Sequence, residues 1–120
     1  PGEKPAASYM SRIFFDKQRI DFKLENLDPA KSYRIGFTWW DYNAADREQK
    51  VVSVRGDGSE LELLGSTLLP NWTTNVQLPE SQRIDLPSEL LTDSGVLNIS
   101  FQLTGGANAV LSEFWLEEME

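Results

Sequence analysis

The stretch Tyr33-Arg34-Ile35-Gly36-Phe37-Thr38-Trp39-Trp40 decides the fold. Strand side chains alternate with a period of two, so Tyr33, Ile35, Phe37 and Trp39 share one face and Arg34, Gly36, Thr38 and Trp40 share the other. The first set is continuously apolar and belongs to a core; the second is mixed and stands outside or leads into a loop. The two adjacent tryptophans divide accordingly, Trp39 inward and Trp40 outward. Directly after them come Asp41, Tyr42, Asn43, Asp46, Arg47, Glu48 and Gln49, a dense run of aromatic and hydrogen-bonding groups.

Outward from this strand, strand signals recur about every ten residues with turn residues between them, the pattern of a sandwich or barrel. Residues 12–15 and 19–24 read as strands upstream. In the second, Ile20, Phe22 and Leu24 alternate with Asp21, Lys23 and Glu25, leaving one wet face. Asn26-Leu27-Asp28-Pro29-Ala30-Lys31 is a turn, because Asp-Pro starts turns and proline ends pairing. Downstream, residues 49–55 read as a strand with Val52 and Val54 inward, closed tightly by Gly56-Asp57-Gly58-Ser59. Residues 61–69 follow, with Gly65 marking a bulge. Short pieces at 76–78 and 83–86 each end at a proline. Residues 96–103 and 110–117 are two further strands joined by Thr104-Gly105-Gly106-Ala107-Asn108, a hairpin turn. Helix signals are confined to 87–91 and 44–48. The count is about eight strands, the number of a jelly roll. The expected fold is therefore all-β, a jelly-roll-type antiparallel β-sandwich over residues 11–120. The start, Pro1-Gly2-Glu3-Lys4-Pro5, makes residues 1–10 a linker or N-terminal tail.

Composition narrows the function. A chain of 120 residues suits one domain. Its 19 acidic and 11 basic residues leave a formal charge of −8, which disfavours phosphate backbones and anionic lipid, so neither nucleic acid nor membrane is an expected partner. With no His and no Cys, imidazole bases, Ser-His-Asp triads, thiolate nucleophiles and Cys-ligated zinc are excluded. A pair of carboxylates flanking a glycosidic bond would remain as an enzymatic route, but no such pair stands out, and the chain is not expected to be an enzyme.

Two segments carry a family resemblance. The first is the strand Tyr33 to Phe37 with the polar loop Asp41 to Arg47 and the strand Val51 to Val54. The second is the closing pair: Leu97-Asn98-Ile99-Ser100-Phe101, then Gly105-Gly106-Ala107-Asn108-Ala109-Val110-Leu111-Ser112, then Phe114-Trp115-Leu116-Glu117. Together they resemble galactose-binding-like and malectin-like β-sandwiches. The resemblance implies a module that accompanies enzymes acting on polysaccharides and binds carbohydrate at loops along a sandwich edge or on a concave face. It also implies an extracellular or cell-surface setting. Some such modules carry a structural calcium; no other cofactor is expected.

The candidate binding residues are Trp40, Asp41, Tyr42, Asn43, Arg47, Trp72 and Asn108. A flat apolar ring, Trp40 or Trp72, would stack on the C–H face of a pyranose, while Asp41, Asn43, Arg47 and Asn108 read its hydroxyls. Each has a plainer account as well. Trp40 and Tyr42 would pack beneath a loop, Trp72 would plug one open end of the sandwich, and Arg47 would pair with Asp41 or Asp46 to hold its loop closed. The acidic candidates for a metal are Asp41, Asp46 and Glu113, although the twelve-residue calcium-loop pattern fails for want of its glycine and its closing glutamate. Asn71-Trp72-Thr73 and Asn98-Ile99-Ser100 are glycosylation sequons, the second mid-strand.

The leading expectation is a non-catalytic carbohydrate-binding module of a larger secreted protein, monomeric, contacting polysaccharide or oligosaccharide on one side and adjacent domains on the other. The alternative is a structural or protein-interaction β-sandwich whose exposed aromatics cover a neighbouring domain.

Overall fold

A computed structural model of the chain describes residues 5–9, 14–16, 18–40, 43–71, 73, 81–91 and 95–119. Among these, ten strands form: β1 Pro5–Tyr9, β2 Phe14–Asp16, β3 Arg19–Leu24, β4 Ser32–Thr38, β5 Glu48–Val54, β6 Glu60–Leu68, β7 Gln82–Asp85, β8 Leu97–Gly105, β9 Ala109–Leu111 and β10 Glu113–Met119. One four-stranded sheet runs β1-β10-β4-β7, the other β3-β8-β5-β6, and β2 pairs with β9. Every ladder is antiparallel. With the short β2 and β9 set aside, the eight remaining strands, numbered afresh along the chain, run 1-8-3-6 and 2-7-4-5. That interleaving is the jelly roll, an all-β sandwich of two Greek keys.

The alternation read in β3 and β4 builds the core. Ile20, Phe22 and Leu24 of β3 face Tyr33, Ile35 and Phe37 of β4 and Phe114 and Leu116 of β10 within one buried cluster. Aromatic rings join the two layers: Phe22 stacks on Phe114 at 4.1 Å, and Phe37 meets Phe101 edge-on at 5.1 Å. Trp39 is buried against Phe37 and Phe101, as its parity requires. The β5–β6 turn closes on side chains suited to it. Gly58 takes φ 89°, and the Asp57 carboxylate accepts from the Ser59 amide at 2.8 Å.

Four readings of the sequence are changed. Five residues assigned to the tail, Pro5–Tyr9, form an edge strand on β10. In β5 the residue facing the core between the sheets is Val51, not Val52: Val51 pairs with Phe101 of the core, whereas Val52, also buried, pairs with Ser100 on the opposite face. The inward positions beside Val51 are held by polar Gln49 and Ser53, both buried, which is why hydropathy alone placed the parity one residue out. Residues 110–117 are two strands rather than one. The chain changes partner at Ser112, whose amide donates to the Thr38 carbonyl at 3.0 Å, so β9 joins β2 and β10 joins β4. Residues 44–47 form a loop and not a helix, while 87–91 holds a single 3-10 turn, Ser88–Leu91. The bulge expected at Gly65 is there, the β5–β6 register slipping between the Gln49–Thr67 and Val51–Leu64 pairs. The expected strand at 76–78 lies outside the described residues.

Candidate functional site

Three segments meet where β4 ends: Trp40 with the chain from Asn43 to Gln49, the chain after β6, and the turn between β8 and β9. Backbone bonds begin the junction, with the Leu69 amide donating to the Arg47 carbonyl at 2.8 Å. Side chains complete it. Asn43, fully buried, donates from Nδ2 to the carbonyls of Ala45 and Pro70, each at 2.9 Å. Its Oδ1 accepts from Arg47 Nη1. Arg47 Nη2 donates to Asn108 Oδ1 at 2.9 Å, and the guanidinium carbon lies 5.9 Å from the Trp40 ring centre. Burial makes Arg47 a weaker base than an exposed arginine. Deeper still, Gln49 imitates a strand, accepting from the Val110 amide at 2.8 Å and donating to its carbonyl at 2.9 Å.

Of the candidates named from the sequence, the fold therefore brings Trp40, Asn43, Arg47 and Asn108 together. Their exposures differ in a way that assigns roles. Asn43 is wholly buried and Arg47 is 8% exposed, so both act on the protein, tying loops to one another. Trp40 and Asn108 are half-buried and reach the surface. Asp41, Tyr42 and Trp72 lie outside the described residues. The plainer account of Arg47 had it hold its loop by pairing with Asp41 or Asp46; among the described residues it does tie that loop, but through the carboxamides of Asn43 and Asn108. Asp46 is exposed and accepts from Asn71 Nδ2 at 3.4 Å.

The acidic candidates separate. Glu113 stands in β10 opposite Thr38, whereas Asp46 lies in the loop before β5. Among the described residues no three acidic side chains converge as a metal site requires. In the first sequon, Asn71 is buried, and its Oδ1 takes the Thr73 amide at 3.0 Å and hydroxyl at 2.6 Å. In the second, Asn98 lines both a 370 Å³ cleft and an adjoining 270 Å³ cleft.

Sequence reasoning passed over Trp115. It sits between fully buried Phe114 and Leu116, so it faces out from the β1-β10-β4-β7 sheet. Its Nε1 donates to Glu117 Oε2 at 2.6 Å, and Arg83 Nε donates to the same oxygen at 2.9 Å. Arg34 adds an ion pair to Glu117 at 3.8 Å and another to Asp85 at 3.2 Å. Burial pushes the Glu117 carboxyl up. The Trp115 and Arg83 hydrogen bonds and the charges of Arg83 and Arg34 outweigh it, holding the group below the usual carboxylate range. The available signal was strand parity, which had already put Arg34, Gly36 and Thr38 on that outer face.

No family model and no curated protein matches this sequence. Among solved structures, the fold is similar to part of dimeric latent PorU from Porphyromonas gingivalis, with a TM-score of 0.41 and 11% identity. That likeness covers 95% of this chain and 10% of the PorU chain, so the protein spans about a tenth of that neighbour's length.

Proposed function

We propose that this chain is a non-catalytic carbohydrate-binding module working outside the cell or at its surface, beside domains that act on polysaccharide. One observation carries the reading: Arg47 connects the half-buried Trp40 ring to the half-buried Asn108 amide at one end of the sandwich. With Asn108 Oδ1 engaged by Arg47, its Nδ2 hydrogens are the end left to donate to a hydroxyl oxygen. Trp40 packs against the core with Arg47 over its ring, and in this reading the part of the ring that reaches the surface takes the polarised C–H groups of a pyranose. Arg47 and Asn43 are positioning residues in this scheme, and affinity is modest, about micromolar to millimolar, because few groups take part.

Affinity gels and calorimetry with soluble polysaccharides test it. Trp40→Ala and Asn108→Ala should each weaken binding about tenfold or more, equivalent to ~1.4 kcal/mol, at a temperature where melting curves show each variant still folded, since Trp40 packs against the core and Asn108 pairs buried Arg47. Binding untouched by both changes sinks the proposal.

The burial of Asn43 and Gln49 favours a second reading, a structural or protein-interaction sandwich in which the same network only holds the loops. The two readings part on one measurement. A purely structural cluster leaves the isolated domain without glycan affinity, and Arg47→Ala then lowers stability alone.

A further inference from the structure

β5 and β8 pair from Glu48–Gly105 as far as Ser53–Ile99 and then part. Each is drawn away by its other neighbour. The Arg55 amide donates to the Ser59 carbonyl at 2.8 Å and the Arg55 carbonyl accepts from Gly58 at 3.0 Å, so β5 turns aside into β6. The chain entering β8 is fastened to the far side, where the Leu27 amide donates to the Gly95 carbonyl at 2.9 Å. Gly95 takes φ 65°, and a Cβ there would fall 2.5 Å from the Leu27 carbonyl oxygen, so the approach requires glycine.

The gap between the parted strands is a cleft of 370 Å³, bordered by the 3-10 turn Ser88–Leu91 through Glu89 and Leu90. That volume lies within the range of small-ligand pockets, about 300–1,000 Å³. Its apolar part includes buried Leu97 and Leu90, which packs on the core. Its polar part is Ser53, Asn98, Arg55 and Glu89. Ser53 is 2% exposed, and neither its hydroxyl nor the Asn98 amide has a partner among the described residues. Arg55 Nη2 and Glu89 Oε2 face each other at 3.8 Å, beyond hydrogen-bond reach, on exposed side chains. The Asp57 carboxylate nearby is committed to the Ser59 amide and hydroxyl.

We propose that this cleft binds a free α-amino acid with an apolar side chain. Its α-carboxylate accepts from the Arg55 fork, its α-ammonium donates to the Glu89 carboxylate, and its side chain lies against Leu90 and Leu97. The Ser53 hydroxyl and the Asn98 amide are the further hydrogen-bonding groups of the cleft. A cation and an anion set side by side select a ligand that carries both signs close together. A purely anionic ligand would meet Glu89, a purely cationic one Arg55, and a neutral polyol would strip water from both charges without replacing it by a counter-charge. Affinity is modest, about millimolar, because solvent and salt screen both charged groups. The site lies at the far end of β5 from Arg47, uses none of the residues around Trp40, and stands or falls apart from the glycan reading.

Calorimetry of the whole chain with leucine and phenylalanine tests the assignment. N-acetylleucine, which lacks the ammonium, and leucinamide, which lacks the carboxylate, serve as companions. At least one of the two amino acids should bind, and each companion should bind about tenfold less tightly or worse. Arg55→Ala and Glu89→Ala should each weaken amino-acid binding by the same margin. Both residues are exposed and sit on different elements, so one variant keeps the experiment valid if the other disturbs its turn. Binding unchanged in both variants overturns the site. N-acetylleucine bound as tightly as leucine overturns the free amino acid in favour of a peptide C-terminus, and leucinamide bound as tightly overturns it in favour of a simple amine. Binding of neither amino acid overturns the proposal and leaves the Trp40 site untouched.

Discussion

At the scale of single residues, Glu117 shows how a charge is kept inside a sheet face. Its carboxylate is only 5% exposed, yet three groups serve it: the Trp115 N–H, Arg83 and Arg34. Its pKa is depressed in the folded protein, so the unfolded chain binds that proton more readily and stability rises with pH across the interval. The contribution is complete above the ordinary glutamate value of about 4.3 and disappears as pH falls through the lower folded value. Thermal melts of the parent and Glu117→Gln should accordingly differ most near neutrality and converge below about pH 4. A difference that stays constant from neutral to acid would show that the ionised carboxylate contributes nothing. Arg47 is the converse case, a buried cation whose described partners are neutral amides. The sequence named it as a site residue and offered Asp41 or Asp46 as its partner only in the plainer account; which groups surround a buried cation depends on loops that meet only in the fold, and Asp46 accepts from Asn71 instead.

At the scale of elements, Gly36 couples β4 to β10. Gly36→Ala drives a methyl into the Trp115 ring, 2.1 Å from its nearest atom, and overpacking of that kind costs about 1–3 kcal/mol. The ring must lift, so urea denaturation should show the loss of stability together with a red shift in tryptophan emission. An unchanged midpoint would mean that the ring does not rest on the glycine. The strands themselves differed in how far they could be read. β3, β4 and β8 alternate cleanly, and their inward faces are those the pattern predicts. β5 does not, because Gln49 is buried to bond the Val110 backbone, and a buried carboxamide looks like a solvent residue in sequence. The break at Ser112 was also hidden: residues 109–119 carry strand character throughout, and only the presence of two different partners divides them.

At the scale of the whole molecule, Phe101 joins the two layers. Its ring meets Phe22, Phe37, Trp39 and Phe114 at centroid separations of 5.1 to 6.2 Å. Phe101→Ala should cost about 3–5 kcal/mol, a large part of the ~5–15 kcal/mol that holds a domain together. Chemical denaturation should record it as a lower midpoint with an unchanged slope. By itself the sequence determined the all-β sandwich, the burial of Trp39 and the absence of histidine and thiol chemistry. Those properties follow from composition and from a two-residue period, both of which are local. Only the tertiary structure decided that Asn43, Arg47 and Asn108 meet, that Val51 faces the core between the sheets while Val52 is buried on the opposite face, and that Trp115 lies across Gly36. The contacts of Arg47 with Asn108 and of Trp115 with Gly36 join segments far apart in the chain, and the facing of Val51 is set by its register with β8; no local pattern encodes them.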